Sequence, residues 1–231
     1  MPRRLLATCV ALALIGATAP PAAAATPPPA WDGLSLVKAK KVQAVYLLPG
    51  ADFRGYSKVM IDPTEVAFKK DWVRDYNSRA VSSRISDADA KKMLEAARTG
   101  FEGIFRQAYA DAGYQVVTEP GADVLRVRTA VANLYVTAPD RQTMGRSRTY
   151  SREAGSATLI LEVRDSLSGA LLGRAVDSRI AGDTGPYMRN SVTNRADFKQ
   201  LFARWAKISA DGLTELKAMS PVAAPTETAR K

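Results

Sequence analysis

Apolar residues recur at helical spacing between Ser86 and Ala112. Ala90, Met93, Leu94, Ala97, Phe101, Ile104, Phe105 and Ala108 fall on one face, which predicts an amphipathic helix over 86–112. Ser86 with Asp89 three residues on has the form of a capping box, Asp87 suits the positive end of the helix dipole, and Gly113 is the expected stop. Phe198, Leu201, Phe202, Trp205, Ile208, Leu213 and Leu216 keep the same period and predict a helix over 194–218, capped by Thr193 or Asn194. Gly100 and Gly103 each cost about 1 kcal/mol against Ala inside the first helix and are read as points of close approach to a sheet.

Elsewhere the period is two. Residues 42–48 read as a strand stopped by Pro49-Gly50, and 58–62 as a strand stopped by Pro63 and resumed by Val66-Ala67-Phe68. Residues 114–118 and 124–136 are two more, with a phase slip at Ala132-Asn133 that predicts a bulge. In 156–164, Ala157, Leu159, Leu161 and Val163 alternate with Thr158, Glu162 and Arg164. This strand and 171–180 predict a hairpin turning at 165–169, with Gly169 at positive φ. The order ββαββββα predicts an α+β fold. Its sheet is mainly antiparallel, of five to six strands, with two long amphipathic helices on one face. A single domain is expected over 31–219, between a Pro-rich tether at 26–30 and a disordered tail at 220–231.

The start of the chain has its own pattern. Arg3 and Arg4 precede an apolar run over 5–17, then Pro20-Pro21 and four alanines, 22–25. That order is a secretory signal peptide, expected to be cleaved near Ala25, and the run is shorter than the ~20 residues of a membrane span. The mature chain is therefore expected in the periplasm with no transmembrane helix. Cys9 sits within the apolar run rather than at its end, and Thr8 is a poor residue before a lipoprotein cut, so lipidation at Cys9 is not expected.

Composition then narrows the chemistry. The 231 residues contain no histidine and one cysteine, Cys9. A mature chain without either has no Ser-His-Asp triad, no Cys-His nucleophile, no disulfide and no customary zinc or copper site. Neither a cofactor nor a metal is expected. The net charge of +10 falls to +8 when Arg3 and Arg4 leave with the signal peptide. A basic exported protein meets anionic envelope surfaces, and its compartment argues against nucleic acid. Arg141, Arg146, Arg148 and Arg152, in the polar stretch 138–155, are the candidates for such contacts. Ser35-Leu36-Val37-Lys38 matches a Ser-x-x-Lys pattern, but its Ser-Asp-Asn and Lys-Thr-Gly partners are missing.

The densest chemistry lies between Pro49 and Asn77. Asp62 and Glu65 are the carboxylates there that acid–base work would use. Turn chemistry accounts for much of the Asp, Gly and Pro, and Phe68 and Trp72 are expected to pack together. Asp52, Tyr56, Lys58, Glu65, Arg74 and Asp75 remain as a candidate interaction surface for an envelope partner. The runs 46–52, 55–66 and 72–76 of this block, with Trp31-Asp32-Gly33-Leu34 and Ser168-Gly169, resemble the bacterial envelope family catalogued as domain of unknown function 3313. The resemblance extends over about Trp31 to Met219. It implies an envelope location, often as a lipoprotein, and carries no activity to any residue. The expected function is a non-enzymatic binding or structural module of the envelope. The alternative is a carboxylate-dependent hydrolase or transferase acting on envelope material.

Overall fold

A computed structural model describes residues 26–79, 84–137, 149–182, 187–189 and 191–224. The elements in chain order are β1 (Ala30–Trp31), β2 (Leu34–Val37), β3 (Ala44–Leu47), β4 (Lys58–Ile61), β5 (Glu65–Phe68), α1 (Trp72–Arg79) and α2 (Asp87–Asp111). They continue with β6 (Gln115–Val117), β7 (Val124–Val136), β8 (Thr149–Ser151), β9 (Gly155–Asp165), β10 (Leu171–Ala181), β11 (Tyr187–Arg189) and α3 (Ser191–Met219).

The sheet has nine strands in the order β1-β2-β3-β10-β9-β7-β4-β6, with β5 also paired to β7, and β8 and β11 form a separate ribbon. It is mixed. The pairs from β1 to β7 are antiparallel, whereas β4 and β5 run parallel to β7, and β6 runs parallel to β4. The expectation of a mainly antiparallel sheet of five to six strands with two helices is corrected, among the described residues, to a mixed nine-stranded sheet and three helices. Two physical reasons account for this. Strands of two to four residues are too short to show a period. And α2 lies between β4 and β6, a connection long enough to return the chain parallel to its start.

Much of the local detail follows the sequence pattern. Ser86 accepts from Asp89 N at 3.1 Å and Asp89 accepts from Ser86 N at 3.1 Å, so the capping box is complete. Gly113 and Gly169 stand at φ +87° and +72°. The register shift in β7 falls between Ala132 and Tyr135, with Asn133 at φ +52°. β4 and β5 are one strand interrupted at 62–64. Ile61 pairs with Val127 and Glu65 with Ala130, so one extra residue bulges between them.

The core lies between the sheet and the two long helices. Ala157, Leu159, Leu161 and Val163 point into it with Val59, Ile61, Leu125, Val127 and Val131. Phe101, Phe105, Phe202 and Trp205 are all buried there, with the rings of Phe101 and Phe202 5.2 Å apart, edge to face. Gly100 and Gly103 do not bring α2 close to the sheet, because a Cβ at either would meet open space. The chain beyond α3 is docked at Val222, inside the expected tail: Val222 N donates to Ala51 O at 2.9 Å and Gly50 N to Val222 O at 2.8 Å. At the other end the sheet begins at Ala30, inside the expected tether.

Candidate functional site

The six residues singled out between Pro49 and Asn77 do not form one surface. Asp52 is exposed and bound by Arg54 Nη2 at 2.6 Å, and that hydrogen bond pulls its carboxyl down to about 2. Tyr56 is buried and belongs to the structure rather than to a contact surface. Its hydroxyl donates to Asp165 Oδ2 at 3.0 Å, and burial together with that carboxylate pushes it up to about 12. Lys58 Nζ lies 3.3 Å from Asp123 Oδ2. Arg74 pairs with Asp71 at 3.1 Å and with Asp75 at 3.2 Å on the exposed first turn of α1. Glu65 is exposed and has no hydrogen-bond or ion-pair partner among the described residues. Lys58 and Glu65 flank Val124 and Ala130 of β7, about 20 Å apart at the rise of a strand. Phe68 and Trp72 stack at 4.5 Å, as their spacing predicts.

Asp62 and Glu65 do not make a carboxylate dyad. Arg126 Nε donates to both oxygens of Asp62 at 3.0 Å, and Arg128 Nε lies at 3.5 Å. Asp62 is instead the end of a charged row across the sheet face that the two long helices leave uncovered. Strand register sets Arg128 opposite Glu162, Glu162 opposite Arg174, and Arg174 opposite Tyr46. Glu162 Oε1 accepts from Arg174 Nη2 and Oε2 accepts from Arg164 Nη2, both at 2.8 Å. Burial pushes the Glu162 carboxyl up, but the hydrogen bonds from Arg174 and Arg164 outweigh it and hold it below the usual range.

Arg174 closes the row. It is 8% exposed, its Nη1 lies 2.8 Å from Asp32, and its guanidinium sits 4.1 Å from the Trp31 ring centre. Trp31 also meets Tyr46 edge to face at 5.7 Å. Asp32 and Gly33, at φ +52° and +78°, form the turn that folds β1 back over β2 and brings Trp31 to this position. Sequence reasoning missed this cluster. Its signals were the Asp-Gly pair and the outward register of Arg174, but the partners become visible only once strand order is known.

A cleft of about 800 Å³ opens at the far end of the same strands, between the β7 bulge, the ends of β9 and β10, and the first half of α3. Thr158 and Ser178, which share a hydrogen bond of 2.8 Å, are among its lining residues. Asn133, exposed at the bulge, and Lys69, whose ammonium lies 6.0 Å from the Tyr135 ring centre, also line it, as do Gln200 and Arg204 of α3. At the start of β9, Gly155 permits a close approach of β7 and α3, because a Cβ there would collide with Tyr135 O and press on Phe198. Of the expected anionic-surface arginines, Arg152 is exposed, whereas Arg141, Arg146 and Arg148 lie outside the described residues. Among the described residues no group of carboxylates, Cys or His is arranged to hold a metal, and no helix is long and apolar enough to cross a membrane.

Similar solved structures include protein XCC0632 from Xanthomonas campestris, at 12% identity over 74% of this chain and 89% of that one, with a TM-score of 0.40. The PelC dodecamer protein from Paraburkholderia phytofirmans is 13% identical over 78% of this chain and 98% of its own, with a TM-score of 0.35. A minor lipoprotein from Acinetobacter baumannii is 12% identical over 71% and 91%, with a TM-score of 0.27. Likenesses this weak carry nothing onto the residues above. Among curated proteins none matches. The family described as "Protein of unknown function (DUF3313)" matches residues 30–208, from the first residue of β1 into α3, and the chain belongs to that family.

Proposed function

We propose that this protein is exported to the bacterial envelope, losing residues 1–25, and acts there as a non-enzymatic binding or structural module. One observation carries the reading. The charged groups of the family-like block are solvated pairs spread along two strands and a short helix, not carboxylates converging in a cleft. Asp52 titrates near 2, far from the neutral range that suits a general acid or base. Asp62 is committed to two arginines. The contact surface is assigned to the exposed residues Glu65, Arg74 and Asp75 beside β7, with Asp52 and Lys58 forming a separate polar patch at the other end of β4.

Fractionation and site-directed crosslinking from position 67, exposed and two residues from Glu65 on the same strand, test this. The processed protein is expected in the periplasmic or outer-membrane fraction, starting within about two residues of Thr26. It should give a discrete crosslinked partner that is lost with Glu65→Lys. A cytoplasmic protein, or turnover of envelope material abolished by Asp62→Asn with folding intact, would replace this reading with another.

A further inference from the structure

The middle of β9 reads Leu159-Ile160-Leu161, and its neighbours β7 and β10 carry Ala130-Val131-Ala132 and Ala175-Val176. A strand covered on one face alternates apolar with polar, whereas a continuous apolar run belongs to a strand covered on both. Leu159, Leu161, Val131 and Ala175 join the core under the long helices. Ile160, Ala130 and Val176 therefore face the other way. Register makes them one row: Ala44 stands opposite Val176, Val176 opposite Ile160, and Ile160 opposite Ala130. Ile160, Val176 and Ala130 are half-buried and belong to neither apolar cluster. The next row is small, with Ala132 opposite Thr158 and Thr158 opposite Ser178. The uncovered face thus has apolar area without a partner at its centre.

The charges around it narrow what fits. Arg174, Glu162, Arg128 and Asp62 follow one another across β10, β9, β7 and the end of β4, alternating in sign. With Arg126, Arg164, Asp32 and Glu65, the face holds four arginines and four carboxylates, in a chain whose +10 falls only to +8 on processing. A neutral face offers a polyanion no excess of cations. It is also where two copies of a basic protein meet without net repulsion.

We infer that this face binds a second copy of the chain, the two sheets packed face to face about a two-fold axis that runs along the strands between β9 and β7. Such an axis exchanges β9 with the partner's β7 within each row. The large Ile160 then seats over the partner's Ala130, and the same contact recurs on the other side of the axis. In the alternating row it sets Glu162 against the partner's Arg128. Glu162 already accepts from Arg174 and Arg164, so this match fixes register rather than adding a hydrogen bond. Arg128 is 47% exposed and touches only Asp62, at 3.5 Å, among the described residues. Arg174 stays beneath its own Trp31, which closes that end of the row. One row further out Arg126 and Arg164 superpose like on like, each beside its own carboxylate, and mark the edge of the contact. Five strands about 4.8 Å apart and three rows about 6.8 Å apart make roughly 500 Å² of sheet per copy, below the ~800 Å² of a standard interface, so the dimer is weak.

Sedimentation of the processed protein tests this, with a monomer–dimer equilibrium expected at a Kd of about 10–100 µM. Ile160→Thr combined with Val176→Thr keeps the β-branched shape, and should weaken the dimer at least about tenfold with Tm nearly unchanged. Arg128→Glu, at an exposed position, should weaken it about threefold or more, with the loss reduced in high salt, and carries the test if the double variant does not fold. The processed chain has no cysteine. Ala130→Cys should therefore be joined into a covalent dimer by a short bismaleimide, whereas Ala110→Cys, on the exposed side of α2, should stay monomeric. All of this uses purified protein and is independent of compartment; an envelope partner captured from position 67 differs from a second copy in mass, so the two readings fail separately. A monomer at 500 µM overturns the inference. So does an assembly larger than a dimer, a dimer indifferent to the Thr pair and to Arg128→Glu, or crosslinking from position 110 and not from 130.

Discussion

The two faces of strand β9 are held in different ways. On the helix-covered side, Ala157, Leu159, Leu161 and Val163 meet α2 and α3 through apolar area alone. On the other side, Glu162 and Arg164, with Arg174 of β10, are held by directed contacts between opposite charges, and Trp31 lies over the end of the row. Burial of apolar area is non-directional and tolerates similar shapes. The charged row depends on each member having its partner, because a guanidinium left alone beneath Trp31 keeps its desolvation cost without its compensation. The first face should therefore carry most of the stability, and the second should fix the attachment of the N-terminal hairpin.

Trp205→Ala is the largest expected perturbation. Trp205 is 1% exposed, stacks near Phe202, and donates its indole N–H to Asp177 Oδ2 at 2.8 Å. Removal should cost about 3–5 kcal/mol in denaturant unfolding, as for other buried aromatics. Trp205→Phe separates the two parts. It keeps most of the bulk and drops the hydrogen bond to a buried carboxylate, so a loss of about 1–3 kcal/mol is expected. An unchanged midpoint for Trp205→Ala would show that the core side of the comparison is misassigned.

Next comes Arg174→Ala on the uncovered face. A fully buried pair costs about 3–5 kcal/mol to break, but Asp32 and Glu162 both reach solvent, so about 2–3 kcal/mol is expected. The distinctive readout is local. Amide exchange should accelerate in β1 and β2, which Trp31 and Asp32 tie to Arg174, while α2 and α3 keep their protection. A uniform loss across both faces would mean that the row is part of the core's cooperativity and not a separate clasp.

How much of this was legible in the sequence follows the same division. The helix-covered face shows itself as period 2 in β9 and period 3.6 in α2 and α3, because one apolar surface imposes one spacing. Phe101, Phe105, Phe202 and Trp205 were readable for that reason. The bulge at Asn133 was readable because a slip of one residue moves side chains to the other face. The charged row was not, since Arg128, Glu162 and Arg174 are far apart in the chain and meet only through strand order. Parallel pairing of β4 and β6 was hidden likewise, because it is set by the α2 crossover and not by any feature of either strand. Tyr56 was misread as a contact residue because its partner, Asp165, lies in the distant hairpin turn. The cleft residues come from β7, β9, β10, α3 and the residue just after β5, and nothing short of the fold gathers them.

The charged face should also respond to acid in a way the apolar face does not. The folded Glu162 carboxyl titrates below its ordinary value of about 4.3. Its contribution is therefore fully present above that value and is lost as pH falls through the lower, folded-state value. Glu162→Gln should accordingly be less stable than the parent at pH 7 by less than the Arg174 loss, and the gap should close as the pH drops below about 4. Parallel urea titrations of the two proteins between pH 7 and pH 3 check this. A gap that persists unchanged into acid would assign the effect of the substitution to packing rather than to charge.

The smallest expected effect is at Glu65, which is on the uncovered face and outside the charged row. It lies opposite Ala130 on a parallel strand, exposed, with no ion pair among the described residues. Reversal to Lys removes no internal contact, so stability should stay within about 0.5 kcal/mol of the parent. Lys58→Glu makes the matched control, because it breaks one half-exposed pair with Asp123 and adds a second negative charge beside it. It should cost up to about 1 kcal/mol, in line with exposed ion pairs, and less in high salt. Loss of the crosslinked partner in Glu65→Lys with unfolding unchanged separates contact from folding at this position. A stability loss as large as that of Arg174→Ala would place Glu65 inside the charged row and remove it from the contact surface.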